Sequence, residues 1–199
     1  MTPPDLLPAI EACYDAIARG QARAERYGGL TLFVQDGPGW PLYARPTPGG
    51  EPTAEELSAV RERQRALGVP EAFEWVHEVN PGLLELAERD GLSVLQAPLM
   101  VLDPAALPAP VDGVRVLDPD DVHYADDVAV CRAIASVGFA NPGVAGGAPG
   151  AAERDAASGQ VDPGQLAHEA ARTRAGVQVR ALATDPAHGP VATGALLRG

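Results

Sequence analysis

The chain has no lysine. All 15 of its basic side chains are arginine, set against 27 aspartates and glutamates, so the net charge is −12 at neutral pH. A surface of that sign repels nucleic acid and anionic lipid at long range, and nucleic-acid binding is set aside. The missing lysine, beside abundant alanine, glycine, proline and arginine, follows high-GC coding and carries no mechanism. Cysteine is scarce as well. Cys13 and Cys131 stand far apart with no CxxC and no Cys/His cluster, which argues against a disulfide framework and a zinc site and leaves two buried thiols. No run approaches the ~18 apolar residues of a membrane span, and residues 1–20 have neither a basic start nor a long apolar stretch. These absences imply a cytoplasmic protein with no membrane partner.

What is present argues for a folded chain. Hydrophobic residues make up 46% of it, while 20 prolines and 22 glycines place many turns along it. At 199 residues it is one large domain or two small ones. Thr2 with Pro3 or Asp5 starts a helix whose Leu6, Ile10, Cys13 (or Tyr14) and Ile17 recur at helical spacing, running to Gly28-Gly29. Strand-like runs at 30–35 and 40–45 flank the turn Asp36-Gly37-Pro38-Gly39 and read as a hairpin. After a turn-rich loop at 46–52, Thr53 and Glu56 form a capping box for a helix through Leu57, Val60, Gln64 and Leu67, stopped by Gly68.

Residues 69–103 then change period within a short span. Phe73, Trp75 and Val76 read as a strand, Asn80-Pro81 as a corner, and Leu83, Leu84, Leu86 and Ala87 as one helical face closed by Gly91. A long apolar strand follows. Residues 104–110 are an Ala/Pro stretch suited to an extended linker. Beyond it the order restarts: a strand that ends in an acidic helix start over 114–121, a helix at 124–137 with Val128, Cys131 and Ile134 (or Ala135) on one face, and a Gly/Ala/Pro loop at 141–150. Asp162-Pro163 caps a helix to about Thr173, and strands at 177–184 and 191–197 form a hairpin.

Asn80, Gly91 and Leu92, in a strand–Asn–helix–Gly–strand order, resemble the distal half of the GNAT superfamily of N-acetyltransferases. Residues 112–199 resemble the opening half of such a domain, with Gly194 at a position where the family often has glycine, and residues 30–103 resemble its later half. The whole is similar to the family's tandem members. The resemblance implies an α/β (α+β) chain with a GNAT-like mixed sheet flanked by helices. It divides the chain into a degenerate module at 1–103, a linker at 104–111, and the N-terminal half of a second module at 112–199.

The activity it implies is acetyl transfer from acetyl-CoA to a small-molecule or peptide amine. The alternative is a non-catalytic binding or regulatory module. The family holds acetyl-CoA on an Arg/Gln-x-x-Gly-x-Gly/Ala loop at a helix N-terminus. The matching stretch at 44–53 offers Arg45 and Gly49-Gly50, but Pro46, Pro48 and Pro52 each lack an amide donor and the spacing is wrong. The corresponding loop of the second module, and the usual catalytic Glu or Tyr, would fall after residue 199, so the resemblance carries no catalytic or cofactor-binding residue onto this chain, which is expected not to act alone. An incomplete second module would leave the 191–197 strand as an open edge through which the chain associates.

What the resemblance does place here is the acceptor side, in the loop from Phe139 to Gln165, which is equally readable as a surface connection. Asn80 matches a cofactor-contacting position and also reads as a strand-to-helix cap. Glu74, His77 and Glu78 read as the polar side of a half-exposed strand, Trp40 and Trp75 as core or module-interface anchors, and His168-Glu169 as helix surface. With Arg172 where a zincin has histidine, His168-Glu169 implies no metal.

Overall fold

The computed structural model describes residues 3–35, 42–106, 109–141 and 150–198. They divide into two compact units, one within Met1–Met100 and the other within Val101–Arg198.

In the first unit, α1 (Pro3–Arg19) turns Glu11, Tyr14 and Ala18 inward, positions i, i+3 and i+7 of one helical face. Cys13 therefore lies on the outer side and is exposed, so only Cys131 of the two expected buried thiols is buried. The helix stops at Gly20, whose amide bonds the Ala16 carbonyl, rather than at Gly28-Gly29. Residues between those points form β1 (Arg23–Tyr27), antiparallel to β2 (Leu30–Val34), with Tyr27 opposite Leu30 across the Gly-Gly turn. Ala, Glu and Arg favour helix locally, and the ladder to β2 overrides that preference.

β2 also pairs with β3 (Ala44–Pro46), giving the expected hairpin, although its turn lies outside the described residues. β2 is covered on both sides: Leu30, Thr31, Leu32 and Phe33 are all buried, and the Thr31 hydroxyl meets that of Thr47 at 2.9 Å. Across it lies α2 (Ala54–Leu67) with its capping box intact, the Glu56 amide donating to Thr53 Oγ1 at 3.3 Å and the Thr53 amide to Glu56 Oε2 at 3.0 Å. Gly68 ends α2 at φ +67°, a left-handed conformation that costs glycine nothing.

The core of this unit is Leu30, Leu32, Ala44, Leu57, Val60 and, from α3 (Gly82–Arg89), Leu83 and Ala87. Each fully buried leucine contributes roughly 1.5–3 kcal/mol. Gly91 closes α3 as expected, and the Leu92 amide reaches back to the Ala87 carbonyl at 2.9 Å. The flanking strands do not form. Before α3 only Phe73 makes a bridge, parallel to Ala44, with the Ala44 amide on the Ala72 carbonyl and the Glu74 amide on the Ala44 carbonyl. After α3, Leu92 and Val94 pack on the core, but 95–102 has no ladder partner, and Leu95 and Met100 are each 89% exposed. An apolar run becomes a strand only where another edge pairs it, and among the described residues none does.

The second unit begins with a short 3-10 turn at Pro104–Ala106 within the stretch expected to be an extended linker. β4 (Val114–Val116) follows, then α4 (Tyr124–Ala140), α5 (Ala151–Ala157), α6 (Pro163–Arg174), β5 (Gln178–Asp185) and β6 (Gly189–Leu197). The sheet order is β4-β5-β6, antiparallel throughout. Gly113 enters β4 at φ +80°, and a β-carbon there would stand 2.5 Å from the Thr184 carbonyl oxygen, so no larger residue fits. The Asp162 side chain caps α6 through the Gln165 amide at 2.9 Å. Leu117, Tyr124, Val128, Cys131, Ala170 and Leu182 form the core. α5 was not expected, and the loop at 142–149 lies outside the described residues. In place of the anticipated mixed sheet there are two three-stranded antiparallel sheets, with one parallel bridge at Ala44 and Phe73 among the described residues, so the class is α+β.

Candidate functional site

The inner face of α4, Tyr124, Val128 and Cys131, packs into the core, so its neighbouring flank is free to bound a groove. Ala129, Arg132, Ala133 and Ser136 of that flank face Ala157, Gly159, Gln160 and Val161 across a shallow cavity of about 230 Å³. The hollow exists because five of its eight lining residues are alanine, glycine or serine beside one valine, leaving space that leucine-sized side chains would fill. Its second wall is held by α6, whose Asp162 cap fixes where 157–161 ends and the helix begins.

The one charged lining residue is Arg132. Its Nη1 donates to Gln165 Oε1 at 2.7 Å and its Nη2 to Glu169 Oε2 at 3.3 Å, while Arg180 Nε on β5 donates to Glu169 Oε1 at 2.6 Å. Glu169 is thus buried and bridges two guanidinium groups, whereas the sequence pattern placed it with His168 on the helix surface. His168 is exposed, and Arg172 is half-buried. The signal available in sequence was Leu166 and Ala170, whose spacing turns that face of α6 inward and carries Glu169 with it. Summed over Arg132, Arg180 and Glu169, the cluster bears one net positive charge in a chain of net −12.

Ser136 is exposed on the rim, and no carboxylate or imidazole pairs with its hydroxyl among the described residues, so it has no activating base. The groove's lining thus supplies space, one guanidinium and no activated nucleophile. Part of the Phe139–Gln165 segment expected to line an acceptor pocket does line this groove, through Ala157, Gly159, Gln160 and Val161. Phe139 itself is 87% exposed. No cluster of His, Cys, Asp and Glu suited to a metal ion occurs among the described residues.

The Arg45 loop in the first unit has the opposite character. The Arg45 guanidinium is buried, donates from Nη1 to Glu74 Oε2 at 2.6 Å, lies 3.8 Å from Glu11 Oε1 and stacks 4.2 Å over the Tyr14 ring. Burial raises the Glu11 carboxyl above its ordinary range, against the pull of Arg45. Two of the loop amides are spent internally, Gly50 on the Thr47 carbonyl at 2.7 Å and Thr47 on the Gly29 carbonyl at 2.8 Å. Three prolines without amide donors, two engaged amides and an arginine turned into the protein make this loop a poor fit to a pyrophosphate. At α5 and α6 one amide each is taken by a side chain, Gly150 by Glu153 and Gln165 by Asp162.

Of the remaining family marks, Asn80 turns the chain with its backbone, its carbonyl accepting the Leu83 amide at 3.2 Å, and α3 has no side-chain cap. Gly194 lies in β6 with open space where a β-carbon would be. Glu74 anchors Arg45, and His77 and Glu78 are exposed. Trp75 packs against the first core, and Trp40 is outside the described residues.

No protein-family model matches the chain, and no curated protein matches it. Among solved structures it is similar to a GCN5-related N-acetyltransferase from Kribbella flavida, at a TM-score of 0.61 and 21% identity, over 96% of this chain and 67% of that one. At that identity the likeness is one of fold. The chain has a fold of the GCN5-related N-acetyltransferase type.

Proposed function

We propose that this chain belongs to an acetyl-CoA-dependent N-acetyltransferase of the GNAT superfamily and supplies its acceptor-binding side, the groove between α4 and residues 157–161. The observation that carries this is the groove itself, lined by the segment to which the family resemblance assigns the acceptor, in a chain whose fold matches an acetyltransferase over 96% of its length. Acetyl-CoA would supply the activated acetyl group; no residue here is assigned to it, and no step is assigned to the described residues beyond binding and orienting an amine.

Thermal denaturation with acetyl-CoA and, separately, with a panel of primary amines with and without a carboxylate tests both halves. Amines should raise the melting temperature saturably while acetyl-CoA moves it by less than ~1 °C. A saturating shift of several degrees with acetyl-CoA would overturn the account of the 44–53 loop. No response to any amine would overturn the acceptor assignment.

The engaged amides and inward Arg45 also favour a second reading, a non-catalytic binding module. A transferase must release its acetylated product, so an N-acetyl ligand should bind more weakly than the free amine. Equal or tighter binding of the N-acetyl form selects the binding module.

A further inference from the structure

The groove carries a selectivity of its own, and the following rests on its assignment as an acceptor site. Its lining contains one charged residue, Arg132, and no carboxylate, in a chain with 27 acidic side chains. A groove whose formal charge is positive repels an acceptor that is only a cation, as a polyamine is at neutral pH. An amine whose molecule also brings an anion to Arg132 is favoured there over one that is only a cation.

The geometry suits that task. A guanidinium has five N–H donors, and Arg132 spends one on Gln165 and one on Glu169, leaving the others for a ligand. Its side chain is 38% exposed, so it reaches the groove without leaving its anchors. Glu169 does not neutralise it alone, since the same carboxylate accepts the shorter 2.6 Å bond from Arg180. Gln165 and Glu169 both lie on α6 and fix the plane of the guanidinium, which is the preparation a two-pronged carboxylate contact needs. The volume, about 230 Å³, and the Ala129, Ala133, Ala157 and Val161 lining suit a small body between the charged ends.

We propose that the acceptor is a small amine bearing a carboxylate, an amino acid or the free end of a short peptide, with Arg132 reading the carboxylate. Ser136 and Gln160 stand on the same walls as polar partners for the amine end.

Ligand-observed NMR on the full chain, with a panel of amino acids against the matching amino-acid amides, tests this without acetyl-CoA. The amide keeps the amine and removes the anion. At least one acid should bind about tenfold or more tightly than its amide. Arg132→Gln should abolish that preference, and Arg132→Lys should retain part of it. Because Arg132→Gln also loosens the Glu169 cluster, Ser136→Trp serves as a second variant, filling the groove from the rim and displacing the acid while leaving the cluster intact.

Amines that bind regardless of a carboxylate would overturn this inference and leave the acceptor site standing. Acids that bind equally well in Arg132→Gln and Ser136→Trp would place the ligand elsewhere and overturn both. A panel in which no acid binds overturns the inference.

Discussion

Glu169 Oε1 accepts the Arg180 Nε–H at 2.6 Å, and that bond ties α6 to β5. With Arg132 on the other carboxylate oxygen, one buried acid connects α4, α6 and the sheet. Replacing it by leucine leaves two cations facing a partnerless site, which should cost about 2–4 kcal/mol. Urea unfolding of Glu169→Leu measures this. Glu169→Gln, which keeps an acceptor oxygen, should lose less, and pairing Glu169→Leu with Arg180→Met should recover part of the loss.

The acid limb of stability should follow Glu25. Arg63 donates to its two oxygens at 2.9 and 3.0 Å and, with help from Arg23, holds its carboxyl down to about 2. A carboxylate depressed in the folded state stabilises above its unfolded value of ~4.3 and loses that contribution as pH falls toward ~2. Denaturant midpoints between pH 5 and 2 should therefore decline, and Glu25→Gln should flatten the decline at a loss of about 1–2 kcal/mol at pH 7. Glu11 has the opposite sign. Its carboxyl is raised by burial, so its contribution is present at low pH and fades as pH rises through the shifted value. Glu11→Gln should remove that fade.

The two thiols should separate cleanly toward an aromatic disulfide reagent. Cys13 is exposed on the outer side of α1, while Cys131 is fully buried and its thiol is pushed up by that burial. Cys13 should react within the dead time of mixing, and Cys131 only on unfolding. Rapid labelling of Cys13→Ser would show that α4 opens locally.

The outer edge of β6 should make the chain self-associate. The Arg198 amide bonds the Val177 carbonyl, so the antiparallel alternation turns Leu196, Gly194 and Ala192 toward β5 and the amides of Thr193, Ala195 and Leu197 outward. No charged residue lies within 189–197, and among the described residues Arg154 closes the start of the edge, donating to the His188 and Pro190 carbonyls. Mass measured by light scattering should rise with concentration, and Ala195→Lys should reduce it. A single monomeric mass at the highest concentrations would show that the edge is covered.

The elements legible in sequence are those with a local signal. Thr53 and Glu56 announce α2, Asp162-Pro163 announces α6, and the turn before Val191 announces the β5–β6 hairpin, because each interaction closes within a few residues. β1 was hidden because Arg23 to Tyr27 favour helix until Leu30–Val34 pairs with them. The run at 95–102 misled for the converse reason: its composition suits a strand, but a strand also needs an edge. Arg132 was invisible as a site residue because its meaning depends on Gln165 and Glu169, more than thirty residues along the chain.

That unpaired run has a consequence in the cell. From Leu95 to Leu102 it presents leucine, methionine and valine side chains on an open backbone beside the Met100/Val101 division between two separately cored units. Proteases and chaperones read extended apolar segments of this kind. A first proteolytic cut is therefore expected in this ribbon, which would part the two cored units before either one unfolds.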